Sequence, residues 1–245
     1  MTALLEVADV RKSYGDRVVL ADVSLTVQPH DVVCLIGSSG SGKSTLLRCL
    51  NLLEDVDDGV IRFEGREISD PRVDRRAVRG RMGMVFQAYN LFPHLTVLEN
   101  CTLAPRRVHG LSRTAAAARA RELLERFGLA DQAAKHPDRL SGGQQQRAAL
   151  VRALCTSPTL LLLDEITAAL DPELVGEVLT IIRDLASGGM TMVLATHEMA
   201  FARDVATTVC FLDQGRILEA GPPAQIFSAP REARTRQFLQ RVLPG

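Results

Sequence analysis

The stretch "GSSGSGKST", residues 37–45, has the GxxxxGK[ST] spacing of a loop that grips phosphate. Gly37, Gly40 and Gly42 let the backbone curl until its N–H groups converge on anionic oxygens. A helix starting at the end of that loop adds positive potential. Lys43 is placed to reach the terminal phosphates of a nucleotide, and the Ser44 hydroxyl to ligate Mg²⁺. Ser38, Ser39, Ser41 and Thr45 complete the cradle. Downstream, "LLLLDE" (160–165) closes an apolar run with two adjacent carboxylates. Asp164 is the expected partner of the cation. Glu165, one residue further, could polarise a water for attack on the terminal phosphate.

Such residues need strands that end at one place. "DVVCLIG" is a continuous apolar run that suits a strand covered on both faces, and it leads directly into the glycine-rich loop. "LLEVADV" and "VVLADVSLTV" read as earlier strands, "GVIRFEGREI" and "RMGMVF" as later ones. From about 89 to 156 the composition turns to Ala, Arg and Leu. "SRTAAAARARELLERFGL" reads as a helix capped at Ser112 and stopped at Gly128, and another is expected to begin at "SGGQQQRAALVRAL". After Pro158 strand and helix alternate again: "LLLLD", "DPELVGEVLTIIRDLASGG" with Asp171 as cap, "MTMVLAT", "HEMAFARDVA", then a hairpin turning at "DQGR". The expectation is one unit over 1–245, with an α/β core of about 1–88 and 157–245 and a helical subdomain of about 89–156.

"LSGGQQQR" (140–147) lies between the phosphate loop and the acidic strand end. With those two motifs in that order, the chain resembles the nucleotide-binding subunit of ATP-binding-cassette (ABC) transporters. The resemblance implies an α/β P-loop NTPase (RecA-like) core with a mainly parallel sheet, N-terminal antiparallel β elements and an inserted helical subdomain. It implies ATP and Mg²⁺ as cofactors and a head-to-tail homodimer with ATP at its interface. Ser141, Gly142, Gly143 and Gln144 would then bind the nucleotide held by the opposite subunit, as an anion site at a helix N-terminus. Tyr14 matches the aromatic that stacks on adenine, and Gln87 the glutamine that touches Mg²⁺ and the attacking water. His197 matches the switch histidine at the terminal phosphate, and Asp171 the aspartate of the loop that crosses the interface.

The strings "STLLRCLNLLE", "GMVFQAYNLFPHLTVLENCTLAP" and "GMTMVLATHEMAFARDVA" bring the resemblance closest to cassettes of bacterial polar-amino-acid importers. That implies integral membrane permease subunits as partners, contacting the apolar segment 88–105, and an extracytoplasmic solute-binding protein acting indirectly. The expected place is the cytoplasmic face of the inner membrane, held peripherally. Alternatives are a cassette for another small solute, exported or imported, and a soluble ABC ATPase working on DNA or ribosomes.

Composition narrows these. Twenty-nine basic residues balance 29 acidic ones, so the charge gives no reason to expect a nucleic-acid partner. The opening residues do not read as a secretory signal, and no apolar run approaches the ~18–20 residues of a membrane span. The five cysteines lack CxxC spacing, which suits buried reduced thiols.

Three departures from the family pattern stand out. His30 and Asp31 stand where Gly-Glu is usual, Ala168 where serine is usual, and Ile166 where proline usually follows the catalytic glutamate. The expectation is a modest stability cost at His30, if its turn needs positive φ, and a slight shift of Glu165 with hydrolysis retained.

Overall fold

The computed structural model describes residues 2–243. Ten strands run in chain order: β1 Leu5–Tyr14, β2 Arg17–Val27, β3 Val32–Ile36, β4 Asp58–Phe63, β5 Arg66–Glu67, β6 Met82–Val85, β7 Leu160–Asp164, β8 Met192–Ala195, β9 Thr208–Asp213 and β10 Arg216–Gly221. The helices are α1 Lys43–Leu50, α2 Arg75–Arg81, α3 Val97–Arg107, α4 Arg113–Arg126, α5 Gly142–Leu154, α6 Pro172–Ser187, α7 Met199–Val205, α8 Pro223–Ser228 and α9 Ala233–Val242.

Two sheets divide the strands. The first is antiparallel, ordered β2-β1-β4-β5; the second is ordered β10-β9-β3-β8-β7-β6. In the second, β9, β3, β8, β7 and β6 are mutually parallel and only β10 is antiparallel. The uninterrupted apolar runs explain this. Every residue of β3 and β7 is buried, as a strand with both faces covered requires. Leu160, Leu161, Leu162 and Leu163 are at most 1% exposed, and each such burial stabilises the fold by roughly 1.5–3 kcal/mol. That margin offsets the desolvation of Asp164 at the strand's end.

The chain leaves β3 with later neighbours on both sides: β7 and β8 one way, β9 the other. Ligands of open α/β sheets settle at such a switch, outside the carboxyl ends of the strands. The residues at those ends are Gly37 after β3, Gln87 beyond β6, Asp164 on β7 and His197 beyond β8.

Between β6 and β7, helices α3, α4 and α5 pack on one another. α3 starts with a reciprocal capping box between Thr96 and Glu99, and α4 with Ser112 accepting from the Ala115 N–H. Gly128 stops α4 at φ 67°. The apolar segment 88–105 is therefore loop only in its first part; from Val97 onward it is α3. Asp171 occupies the N-cap position of α6, but its side chain accepts no capping hydrogen bond, so it caps by backbone alone (Leu174 N–H to Asp171 O, 2.9 Å).

His30 does take a left-handed conformation, with φ 69°. Its backbone N–H donates to Thr191 Oγ1 at 2.8 Å, as a glycine's could, and its Nδ1 lies 2.6 Å from Gly189 O, the one of these contacts that glycine would lack. All five cysteines are free and buried. Burial pushes the Cys49 and Cys210 thiols up to about 12, which makes them unreactive core residues.

Candidate active site at the carboxyl ends of the parallel strands

The phosphate loop is bent by three glycines in conformations that side chains rarely adopt: φ is 150° at Gly37, 75° at Gly40 and 108° at Gly42. Two neighbours press on it. A Cβ on Gly37 would meet Leu212 O at 2.1 Å, and one on Gly42 would meet Val19 O and Leu20 Cδ2, both at 2.9 Å. The β9–β10 turn also bonds the loop directly, through Gly215 N–H to Ser41 O at 3.0 Å. The loop is thus held from outside by β2 and by that turn, as well as by its own sequence.

Lys43 opens α1 and is 3% exposed. Its Nζ donates to Gly37 O (3.0 Å) and Ser38 O (3.1 Å) and lies 3.3 Å from Glu165 Oε1. Ser44 Oγ donates to Asp164 Oδ1 at 2.6 Å. These are two hard oxygen ligands side by side at the end of β7, the donor type that Mg²⁺ prefers. Burial pushes the Asp164 carboxyl above its ordinary range and Glu165 adds to that, while the Ser44 hydrogen bond and the charges of Arg48 and Lys43 oppose it. A cation at this point would favour the carboxylate.

Glu165 is the one strained residue of the acidic pair, with φ 46°. Its N–H donates to Ala195 O at 3.0 Å and its carbonyl accepts from the Ala168 N–H at 3.0 Å. These bonds aim the carboxylate inward, where Oε1 meets His197 Nε2 at 2.9 Å. Ile166, 7% exposed, packs in the main core beneath. Among the described residues its N–H donates no hydrogen bond, so the donor that a proline would remove is unused.

A cleft of about 360 Å³ opens over these groups. Tyr14, Ser39, Gly40, Gly42, Lys43, Ser44, Thr45, Gln87 and Glu165, all expected from the sequence, line it, while Gly37, Ser38 and Ser41 belong to the same loop without lining the cleft. Asp164 and His197 touch it through Ser44 and Glu165 respectively. Tyr14, at the end of β1, is 46% exposed. Arg17 and Val19 line the same cleft and carried no mark in the sequence reading. The one available signal was the two-residue turn after Tyr14, which pairs Arg17 directly opposite it.

Ser141, Gly142, Gly143, Gln144 and Asp171 do not join this cleft. Ser141 caps α5 through a capping box with Gln144. A Cβ on Gly142 would meet Tyr89 Oη at 2.9 Å, and one on Gly143 would meet Leu174 Cδ1 at 3.2 Å. Tyr89 Oη in turn donates to Ala169 O at 3.2 Å. The start of α5 and the 169–174 segment therefore form a separate surface, with an anion-attracting helix end and no phosphate-binding loop of its own.

Residues 20–168 match the protein family described as ABC transporter. The chain is 50% identical over 234 residues to the glutamine transport ATP-binding protein GlnQ of Geobacillus stearothermophilus, covering 96% of this chain and 97% of that one. It is 48% identical over 240 residues to the arginine transport ATP-binding protein ArtM of Bacillus subtilis, covering 98% and 100%. Among solved structures, the dimeric ATP-binding cassette MJ0796, in a post-hydrolysis state bound to ADP and Pi, superposes with a TM-score of 0.82. That match has 31% identity and covers 89% of this chain and 98% of the other.

Proposed function

The chain belongs to the ABC transporter family, and from that premise we propose that it is the ATPase subunit that powers uptake of a polar amino acid. Its relatives' names describe ATP-binding proteins of glutamine and arginine transport. The observation that carries the reading is the cleft in which Lys43, Ser44, Asp164, Glu165 and His197 converge.

Each residue has a role there. The loop amides of 37–45 and Lys43 bind the β- and γ-phosphates, and Tyr14 stacks on the adenine. Among the described residues no group of three His, Cys, Asp or Glu could hold a metal. Ser44, Asp164 and Gln87 would instead hold Mg²⁺ together with phosphate oxygens, the usual arrangement for this cation. Mg²⁺ supplies charge neutralisation at the β- and γ-phosphates. Glu165 accepts the proton of the attacking water, and His197 fixes that carboxylate while facing the γ-phosphate.

The surface at Ser141–Gln144 and Asp171 supports a head-to-tail homodimer, in which each chain completes the other's site. We read the helices between β6 and β7 as a subdomain of about 89–156 set into a core of about 1–88 and 157–245; positions 1, 244 and 245 lie outside the described residues. No helix among the described residues is long and apolar enough to cross a membrane, so a permease must supply the path. A groove of about 350 Å³, to which the 88–105 region contributes Phe92 and Ala104 beside Arg76, Arg79 and Arg152, is where we place the docking of permease subunits. The assembly then sits peripherally on the cytoplasmic face of the inner membrane, with an extracytoplasmic binding protein selecting the solute.

Co-purification with the permease and reconstitution in vesicles tests this reading. A polar amino acid presented with its binding protein is expected to raise the ATPase rate, and no response to any amino acid would overturn it. The Ile166→Pro variant is expected to hydrolyse ATP within about tenfold of the wild type, because the displaced N–H is unbonded and Glu165 keeps its bonds to Ala195 and Ala168. Steady-state phosphate release measures this. An inactive wild type rescued by proline would show that Ile166 disables the site.

A further inference from the structure

The cleft contains a cation that neither the phosphate loop nor the acidic strand end accounts for. Arg17 is the first residue of β2, separated from Tyr14 by the turn Gly15–Asp16 and paired with it in register. It is exposed, and it lines the cleft together with Tyr14, Lys43 and Ser44. The two lysines nearby are committed. Lys12 lies 3.4 Å from Asp57 Oδ1 and 5.3 Å from the Tyr14 ring centroid, and Lys43 is bonded to Gly37 O and Ser38 O. Among the described residues the Arg17 guanidinium donates no hydrogen bond and forms no ion pair, although Asp16 is adjacent. An arginine on a tight hairpin that lines such a cleft and lacks an anion is suited to phosphate, which its planar fork matches.

We propose that Arg17 binds the α-phosphate of the nucleotide, an inference that rests on reading this cleft as the nucleotide site. The placement selects that group. In that reading Tyr14, which lines the cleft, marks its base end, and residues 37–45 mark the end that takes the β- and γ-phosphates. Arg17 stands level with Tyr14, so what lies within its reach is the ribose and the α-phosphate, and of these only the phosphate carries charge. Arg17 is therefore a substrate-binding residue that anchors the part of the ligand common to AMP, ADP and ATP.

The test is equilibrium binding of AMP, ADP and ATP to the full chain, comparing wild type with Arg17→Ala, Arg17→Lys and Arg17→Gln. Arg17→Ala is expected to weaken all three nucleotides by the same factor of about 10, shrinking as salt is raised. Lysine should restore part of the loss, since it keeps the charge but not the planar fork, and glutamine little. Thermal unfolding without nucleotide should be the same in all four proteins, since the side chain has no partner to lose. Equal affinities in Arg17→Ala and wild type overturn the proposal. So does a loss confined to ATP, which places the contact at the γ-phosphate, and so does full rescue by glutamine, which places it at the ribose. A wild type that binds none of the three sinks the nucleotide site itself.

Discussion

Replacing Glu165 with glutamine is expected to lower ATP turnover by ~10²–10⁴ while leaving nucleotide binding and nucleotide-dependent dimerisation intact. Glutamine keeps the shape of the side chain and can still meet His197 Nε2 and Lys43 Nζ, which lie 2.9 and 3.3 Å from Oε1. What it cannot do is accept a proton from water. The loss corresponds to about 3–5 kcal/mol of transition-state stabilisation, far more than any rearrangement of the 165–168 turn should bring. Phosphate release measures the first half of the prediction, and sedimentation with ATP and Mg²⁺ the second. Turnover within about threefold of wild type would remove Glu165 from the role of base. A Glu165→Gln protein that stays monomeric with ATP would count against the trapped dimer.

Lys43→Ala is expected to weaken ATP binding by at least ~100-fold. The Nζ makes two hydrogen bonds to loop carbonyls and sits against Glu165 from a nearly buried position. Phosphate oxygens would draw on the same ammonium, and charge-assisted bonds of this kind contribute about 1.5–3 kcal/mol each. Two such bonds account for the expected factor. Alanine is a good helix former at the start of α1, so the fold should survive. Calorimetric titration with ATP reads the affinity, and thermal unfolding separates it from global damage. Binding within about threefold of wild type, in a folded variant, would show that the loop amides alone hold the phosphates.

The two predictions rest on residues that differ in how legible they were. Lys43 belongs to a contiguous motif, whose chemistry follows from nine consecutive residues and a strand-to-helix context. Glu165 needed more. Its identity as a carboxylate at an apolar strand end was visible, but its positive φ and its contacts with His197 and Lys43 were not. The Ser112 cap and the Gly128 stop were visible because both act within one turn of helix. Asp171 does stand at the N-cap, but that its side chain makes no capping bond, and that α3 begins within the apolar segment 88–105, depend on side-chain direction and on packing against distant helices. α2 and α8 are short, and α2 buries no residue; α9 carries an amphipathic stripe that could have marked it.

The family, the glycine-rich loop of 37–45, the acidic pair and the buried, free state of the cysteines are readable from the residues alone. Each of these is written in neighbouring residues, whose geometry the backbone sets locally. Only the tertiary structure decided which of those residues share one cleft. The parallel order β9-β3-β8-β7-β6 puts Lys43, Gln87, Asp164 and the Glu165–His197 pair at one edge. The same order leaves Ser141–Gln144 and Asp171 on a second surface. The close approach of β2 and the β9–β10 turn to Gly42 and Ser41 brings Arg17 into reach. The physical reason is that register and strand order are fixed by burial summed over the whole core, a quantity no short stretch of sequence contains.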